Sequence, residues 1–356
     1  MCFNSKHGPY SFLAAAVFCC LMLGAENASG AHASKNQPTG TFTLYFENDT
    51  FFDTDALYTN GIKLTWVSAD IAGNQRIPRL PQWIDTLIES LPFGNRSGMQ
   101  RSVSLSVGQN MYTPEATERE DLIRDDRPYA GLLYGSLGLN CKNDSQMDTF
   151  EIIAGVVGPA SLAEETQRLV HDLRGLDVPA GWDHQLEDEP IANIFFERKW
   201  RLHGAIDGVH WGWDLIPNVG GGLGNAFVGA HTGALLRFGW NLPNDFGTTL
   251  ARPGSDTNAP IDQNDPRFAA DHKEFGLHLF GAYSGTYVAH NITLDGNSFR
   301  DSHSVEKLPL VGNVMAGVGV IVGRCKVTFA HVLQTKEFEG QSGAHEYGSI
   351  TVSVSF

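Results

Sequence analysis

The chain closes on the segment "EYGSITVSVSF" (346–356), in which two kinds of side chain alternate. Apolar residues occupy every second position and small hydroxyl residues stand between them; the apolar residues are Ile350, Val352, Val354 and Phe356. A period of two is that of a β-strand with one apolar face. Soluble sandwiches rarely end on an exposed aromatic residue, whereas an aromatic final strand is typical of outer-membrane barrels. The segment therefore predicts the last strand of such a barrel.

The same alternation recurs along the chain and predicts twelve strands, an even number. The segments are "TFTLYFEN", "GIKLTWVSAD", "RSVSLSVGQN", "YAGLLYGSLGLN", "DTFEIIAGVVG", "IANIFFERKWRLHG", "GVHWGWDLIPNVG", "GALLRFGWN", "KEFGLHLFGAYSGTYVAHN", "LVGNVMAGVGVIVG", "CKVTFAHVLQTKEF" and "EYGSITVSVSF". We expect an all-β fold, a 12-stranded antiparallel transmembrane β-barrel. A secreted soluble β-sandwich or lectin-like fold is the alternative.

Residues 1–33 have the layout of a secretory signal peptide. Lys6 and His7 precede the apolar run "SFLAAAVFCCLMLGA", and Ala31-His32-Ala33 supplies a small-x-small cleavage pattern. Residues 34–356 are then the barrel domain. This part has no run of 18 or more apolar residues, so a membrane protein of this sequence must cross the bilayer with strands.

Charge and cysteine content exclude several classes of protein. The net charge of −15 argues against a nucleic-acid partner, because phosphate binding needs a basic surface. Cys2, Cys19 and Cys20 lie in the signal peptide, which leaves Cys141 and Cys325. Two cysteines cannot build a disulfide scaffold or a thiolate metal cluster. They form either one disulfide or two isolated strand thiols.

Strand parity predicts that the polar connections share one rim of the barrel. Both ends of such a barrel lie in the periplasm, so the connections after strands 1, 3 and 5 are extracellular. These connections are "NDTFFDTDALYTN", "MYTPEATEREDLIRDDRP" and "GPASLAEETQRLVHDLRGLDVPAGWDHQLEDEP". Two periplasmic segments carry less information. One predicts an interfacial helical turn around Trp83 to Leu91, and "PNDFGTTLARPGSDTNAPIDQNDPR" (243–267) predicts a flexible, turn-rich loop without assignable chemistry.

The third extracellular connection contains a short helix. Ser161 and Glu164 form a Ser-x-x-Glu capping box at its start, and Gly175 ends it. Gln167 and His171 are spaced i, i+4 and share one face. The apolar residues expected to pack one side are Leu162, Leu169, Val170 and Leu173.

Four segments together resemble the outer-membrane lipid A 3′-O-deacylase family: "ENDTFFDTDALYTNGIKLTW", "DDRPYAGLLYGSLGL", "GPASLAEETQRLVHDLRG" and "GWDHQLEDEP". They occur in the family's order and spacing across nearly the whole mature chain. The resemblance implies a twelve-stranded barrel that removes the acyloxyacyl chain from the 3′ position of lipid A and depends on calcium.

The resemblance also implies site residues. The family's catalytic His falls on His171 and its neighbouring Gln on Gln167. The Asn-Asp pair that ends strand 1 falls on Asn48 and Asp49, and the Thr that opens strand 2 falls on Thr59. The family's basic patch on the second extracellular connection matches less well, because Arg119, Arg124 and Arg127 stand there among many carboxylates. These three arginines are the candidates for substrate binding.

The chemistry of these residues is consistent with ester hydrolysis. The chain has no Gly-x-Ser-x-Gly elbow, whereas a His can deprotonate water near neutral pH. Asn48 and Asp49 offer the oxygen ligands that Ca²⁺ prefers; Asp53 and Asp55 are expected to be solvated loop residues. Gln167 could orient His171 or the water, and Thr59 could hold substrate. A hydroxyl nucleophile, Thr59 or a nearby Ser paired with His171, is the alternative to water.

The sequence thus predicts a monomeric carboxylic ester hydrolase in the Gram-negative outer membrane. We expect its substrate to be lipid A of lipopolysaccharide, bound among outer-membrane lipids in a groove on the barrel's outer wall that faces the cell exterior. Two alternatives remain: an outer-membrane phospholipase A-type esterase, and a non-catalytic barrel such as a pore or an adhesin.

Overall fold

The computed structural model of the chain describes residues 40–52, 57–71, 86, 98–206, 210–251, 258–262, 264–268 and 275–356. The predicted signal peptide, Asp53 and Asp55 lie outside these residues. So does the predicted helical turn around Trp83 to Leu91, apart from Thr86. None of the described helices is long and apolar enough to span a membrane.

The described residues form strands that hydrogen-bond to one another in an antiparallel sheet. In chain order these are β1 (Gly40–Asn48), β2 (Leu57–Ser68), β3 (Gln100–Thr113), β4 (Ala130–Lys142), β5 (Gln146–Val157), β6 (Glu189–Trp200), β7 (Leu202–Ala205), β8 (Trp211–Gly224), β9 (Phe227–Trp240), β10 (Phe275–Asn291), β11 (Leu310–Val322), β12 (Cys325–Gln334) and β13 (His345–Ser355). The helices are α1 (Ala163–Arg174) and α2 (Ile292–Asp295). Short 3-10 turns span Asp49–Phe52, Pro159–Ser161, Trp182–His184 and Pro266–Phe268.

The sheet closes on itself into a barrel. β1 pairs with β13, and β6 pairs with β8. β7 continues β6 along the same partner strand after an interruption at Arg201. The backbone N–H of Arg201 donates to the carbonyl of Ser145, 2.8 Å away, next to the last pair of β5 and β6. β6 and β7 therefore count as one barrel strand, and the predicted 12-stranded antiparallel barrel with a short helix in a connection is confirmed.

Side chains alternate between the lumen and the outer wall along each strand. On β13 the hydroxyl residues point inward and are buried; Ser353 and Ser355 have no exposed surface. On β1 the inward residue Tyr45 is fully buried, while the outward residues Phe42 and Leu44 are 47% and 40% exposed. An apolar exposed wall and a polar interior are the pattern of a barrel surrounded by lipid.

The described part of the connection between β9 and β10 fills part of the lumen, which corrects the prediction of a flexible loop for those of residues 243–267 that the structure describes. Asp245 lies at its centre and accepts from Arg237 of β9, Arg267 of the loop and Lys326 of β12, all of them buried. Phe246 packs in the main apolar cluster of the lumen. We refer to the described residues of this connection, 241–251, 258–262 and 264–268, as the plug.

Beyond the plug, the lumen holds a cavity of about 320 Å³. Phe246 and Thr248 of the plug are part of its lining, with Glu47, Tyr112 and Tyr134 on the strands. The rim on this side carries the connections β1–β2, β3–β4, β5–β6, β8–β9, β10–β11 and β12–β13; we call it the loop-rich rim. Gly40 and Phe356 meet at the opposite rim, where each backbone N–H donates to the other residue's carbonyl.

Cys141 and Cys325 are buried on β4 and β12, and neither is in a disulfide. Of the two possibilities left open by the sequence, the structure has the two separate thiols.

Candidate active site

Three strands end at the loop-rich rim with polar residues that face outward. Glu47 and Tyr112 line the lumen, so their neighbours Asn48 and Thr113 point to the outer wall by alternation. Asn48 Nδ2 donates to the carbonyl of Thr59, 3.1 Å away, and the hydroxyls of Thr59 and Thr113 are 2.8 Å apart. Asn48, Thr59 and Thr113 thus form a continuous polar strip across β1, β2 and β3.

A β-bulge on β2 places Thr59 in this strip. Tyr58 pairs with Tyr112 and Asn60 pairs with Met111, so Thr59 is an extra residue between two ladder positions. Tyr58 remains in the lumen, while Thr59 reaches Thr113 on the outer side. Bulges commonly redirect a side chain next to a functional site, and this one gives β2 a hydroxyl at the outer wall.

Asp49 follows Asn48 and opens the turn Asp49–Phe52, and it is fully buried. Phe51 anchors this turn on the outer wall: its ring lies 6.1 Å from Phe46 and 6.0 Å from Phe329. Gly348 of β13 makes room for that ring, since a Cβ there would come within 2.6 Å of Phe51. The turn therefore borders the polar strip on the β13 side.

Helix α1 borders the strip on the other side. Its N-terminus rests on the outer wall of β4, where a Cβ on Gly131 would lie 2.2 Å from both the Ala163 Cβ and the Ser161 Oγ. Met111 of β3, Tyr129, Ala163 and Trp182 form one buried apolar cluster beneath it.

The polar face of α1 is its buried face. Gln167 and His171 are 3% and 4% exposed. Leu162, Leu169, Val170 and Leu173, which were predicted to pack against the protein, are exposed, so this prediction is wrong. The predicted capping box is wrong as well. Leu162 is the N-cap in the left-handed region, with no side-chain cap, while Gly175 caps the C-terminus as predicted.

Backbone and indole contacts fix the orientation of both buried polar side chains. His171 Nδ1 lies 2.5 Å from the carbonyl of Asp177. A carbonyl can only accept, so Nδ1 carries the proton and the neutral ring has Nε2 as its acceptor. Gln167 Oε1 accepts from the indole N–H of Trp182 at 2.7 Å, so the amide N–H₂ group points away from the indole. The buried face of α1 thus carries a proton acceptor, His171 Nε2, and an amide donor, the N–H₂ group of Gln167.

The three predicted substrate-binding arginines occupy different environments. Arg119 is exposed and pairs with Asp121 at 2.5 Å, a contact that holds the pKa of the Asp121 carboxyl below its usual value. Arg124 is exposed. Arg127 is fully buried: it donates to Glu337 and Thr293 and stacks on the Tyr112 ring at 4.6 Å.

Arg127 therefore joins three rim connections at the barrel mouth, and the structure does not bring it to the outer-wall strip. Arg119 lies nearer to α1, because its connection pairs with the segment after the helix through the Ala180 N–H and the Thr117 carbonyl, 2.9 Å apart.

In the same β3–β4 connection, burial raises the pKa of the Asp126 carboxyl above its usual value.

Sequence reasoning did not identify Thr113, Asp177 or Trp182, the residues that position Thr59, His171 and Gln167. Trp182 lies in "GWDHQLEDEP", a segment that carried the family resemblance, so its signal was present without an assigned role. The contribution of Asp177 is a backbone carbonyl, and no side-chain pattern encodes it.

A Ser–His–Asp arrangement also lies at the loop-rich rim, outside the polar strip. His290 Nδ1 is 3.1 Å from Asp295 and Nε2 is 3.3 Å from the Ser298 hydroxyl. Both Nε2 and the hydroxyl, however, lie 2.8 Å from the carbonyl of Asn225. That carbonyl can only accept, so Nε2 carries a proton and cannot take one from Ser298. The arrangement is a structural network.

Comparison with known proteins identifies the family of the chain. The family model described as outer membrane protein LpxR matches residues 14–356. The structure of LpxR from Salmonella typhimurium is similar, with a TM-score of 0.67 at 17% identity, over 89% of this chain and 100% of that one. The β domain of the Bordetella autotransporter BrkA is less similar, with a TM-score of 0.44 at 8% identity, over 90% and 100% of the two chains. No curated protein matches the sequence. The chain belongs to the LpxR family of outer membrane proteins.

Proposed function

We propose that the chain is a lipid A 3′-O-deacylase, which hydrolyses the ester of the acyloxyacyl chain in the outer leaflet. One observation carries the proposal: α1 buries its polar face, with His171 and Gln167, toward an outer wall that presents Asn48, Asp49 and Thr59. A site outside the barrel suits a substrate whose acyl chains stay in the bilayer. We place this rim, and the site with it, at the cell exterior.

In the proposed reaction His171 Nε2 takes a proton from water, and the resulting hydroxide attacks the ester carbonyl. The Asp177 carbonyl holds Nδ1–H and stabilises the imidazolium that forms. Collapse of the tetrahedral intermediate breaks the bond to the sugar oxygen, which takes the proton from His171. The products are a fatty acid and the freed 3′ hydroxyl. In this proposal the Gln167 amide N–H₂ donates to an oxygen of water or substrate.

The residues fit a calcium ion in the kind of donor that they supply. Asn48 supplies an amide oxygen, since its Nδ2 end is the one that donates to the Thr59 carbonyl, and Asp49 adds a buried carboxylate. The described residues contain no group of three or more His, Cys, Asp or Glu side chains suited to a metal. A site with one carboxylate among neutral oxygens belongs to the weak calcium sites, with a Kd of about 0.1–1 mM. Calcium bound there would stabilise negative charge on the ester carbonyl oxygen.

Two features weigh against the alternative functions. A phospholipase A-type enzyme needs an activated serine, and the Ser298 hydroxyl already donates to the Asn225 carbonyl. A pore needs an open lumen, and the plug places Asp245 and its three cations there.

The purified protein, reconstituted with lipid A and calcium, tests the proposal by mass spectrometry of the products. We expect loss of one ester-linked acyloxyacyl chain and no fatty acid from phosphatidylethanolamine in a parallel reaction. Intact lipid A together with fatty acids released from the phospholipid would instead identify the protein as a phospholipase A-type esterase. Ser298→Ala serves as the control hydroxyl and should leave the reaction unchanged.

A further inference from the structure

Helix α1 has three distinct faces. Ala163, Gln167 and His171 follow one another at i, i+4 and i+8, and they are 1%, 3% and 4% exposed. At about 100° per residue, these side chains form a single narrow buried face along the helix. This buried face is turned toward the barrel wall.

One outward side of α1 is apolar and exposed. Leu169 and Leu173 are 60% and 79% exposed, and their i, i+4 spacing places them on the same side of the helix. Leu162, the N-cap residue, is 53% exposed. Leu176 and Val178, which follow the helix, are exposed as well. Large apolar side chains at this exposure, gathered on one face, mark an interaction surface.

The third face is charged and lies on one flank of the helix. Glu165, Arg168 and Asp172 are exposed there, and Arg168 pairs with Glu164 at 2.5 Å. A helix with a charged flank and an apolar flank is suited to lie at a membrane interface, with the charged side in water and the apolar side among acyl chains.

The position of α1 identifies what covers the apolar face. Gly131 and Met111 place the helix on the outer wall of β4 and β3. Val107 and Leu105, further along the outward side of β3, are 52% and 45% exposed and belong to the apolar wall that a membrane barrel turns to lipid. The apolar residues of α1 therefore lie on the same outer side of the barrel as these wall residues.

We propose that the apolar side chains of α1 and its two ends are inserted among the acyl chains of the surrounding lipid leaflet; they are Leu162, Leu169, Leu173 and Leu176. The helix is therefore a membrane-contacting element beside the polar strip. This proposal depends on the barrel standing in a membrane and not on the proposed deacylase activity.

Site-directed spin labelling tests this contact. Nitroxides are attached at Leu173→Cys on the apolar face, at Arg168→Cys on the charged face, and at Val107→Cys on the wall as a lipid-facing reference. The protein is reconstituted in vesicles of phosphatidylethanolamine and phosphatidylglycerol. Cys141 and Cys325 are buried, and the unsubstituted chain gives the labelling background. Collision rates with oxygen, which concentrates in lipid, and with a water-soluble nickel complex are then measured.

We expect the ratio of oxygen to nickel collisions at position 173 to match that at position 107 and to exceed that at position 168 several-fold. Equal nickel accessibility at 173 and 168 would overturn the proposal, because both faces would then be in water. Protection of position 173 from both reagents would also overturn it, because a protein surface, such as a second copy of the chain, would then cover the helix. Heat-modifiable mobility on gels shows that each labelled barrel is folded.

Discussion

At the scale of single residues, the chemistry of the candidate site depends on neighbours that set the direction of each polar group. The Asp177 carbonyl decides which nitrogen of His171 carries the proton. The indole N–H of Trp182 fixes the Oε1 end of the Gln167 amide, so the N–H₂ end points away from the indole.

Replacing Trp182 with Phe removes the indole donor and keeps an aromatic ring in the cluster with Tyr129. We expect kcat for lipid A deacylation to fall by about tenfold with little change in KM, because the Gln167 amide loses its fixed orientation. In a Gln167→Ala background the same substitution should have little further effect. Trp211→Phe, at an exposed position of the wall, is the control. Independent, additive losses in the double variant would show that Trp182 does not act through Gln167.

Thr113 is expected to position Thr59 through the hydroxyl pair at 2.8 Å. Thr113→Val keeps the shape and removes the hydroxyl, so the deacylation rate should fall, whereas Thr113→Ser should restore most of it. The comparison of initial rates for the two variants measures this effect. If Val and Ser are equally active, the hydroxyl pair has no part in the reaction.

The residues of the candidate site could be named from the sequence, whereas most of the contacts that position them could not. Gln167 and His171 share a helix face because of their spacing, and the structure buries that face. Thr113 and Trp182 contact their partners only after β2, β3 and the β5–β6 connection have assembled. Such contacts depend on sheet register and on a bulge, and a local pattern in one sequence does not contain them.

At the scale of elements, the apolar and polar sides of α1 have the opposite orientation to that expected from the sequence. Its apolar residues were expected to pack against the protein, as in a soluble helix. On the outer wall of a barrel the apolar side faces away, and the polar side is enclosed. The bounds near Gly175 were predictable from its left-handed C-cap. Its N-terminus could not be predicted, because Leu162 is the N-cap and Ser161 packs on Gly131 instead of capping the helix.

Two glycines on the outward side of β4 test how α1 is seated. A Cβ at position 131 would lie 2.2 Å from Ala163 and Ser161, whereas a Cβ at position 135 would meet its nearest neighbour, the Ser106 carbonyl oxygen, only at 3.8 Å. Gly131→Ala should therefore shift the start of α1 and reduce deacylation strongly, with the barrel still heat-modifiable on gels. Gly135→Ala should be silent. Equal activity of the two variants would contradict the seating of α1 described above.

At the scale of the whole molecule, buried charge holds the plug inside the barrel. Asp245 stands between Arg237, Arg267 and Lys326, and Asp214 pairs with Arg237 and Arg201. The plug sequence is rich in Pro, Gly, Asp and Asn, which is typical of an exposed loop. Its burial comes from charges that β8, β9 and β12 direct inward, and these become visible only when the strands are arranged around the lumen.

Asp245→Asn should lower the thermal stability of the barrel, because three buried cations would lose their shared carboxylate. Removing one partner of a buried ion pair costs about 3–5 kcal/mol. The temperature at which the folded band disappears on gels should fall clearly below that of the parent. Glu187→Gln, which breaks an exposed pair with Arg300, is the control and should change this temperature little. Equal temperatures for the two variants would contradict a stabilising role of the charge network.

The central claim is that His171, held against the outer wall, activates water for deacylation of lipid A. Mass spectrometry of lipid A from cells that make the parent chain, His171→Ala or His331→Ala tests it most directly, with and without a calcium chelator. His331 is an exposed histidine of β12 paired with Glu346. We expect 3′-deacylated lipid A with the parent and with His331→Ala in calcium, and intact lipid A with His171→Ala or with chelator. Deacylated lipid A from cells making a folded His171→Ala variant would contradict the account.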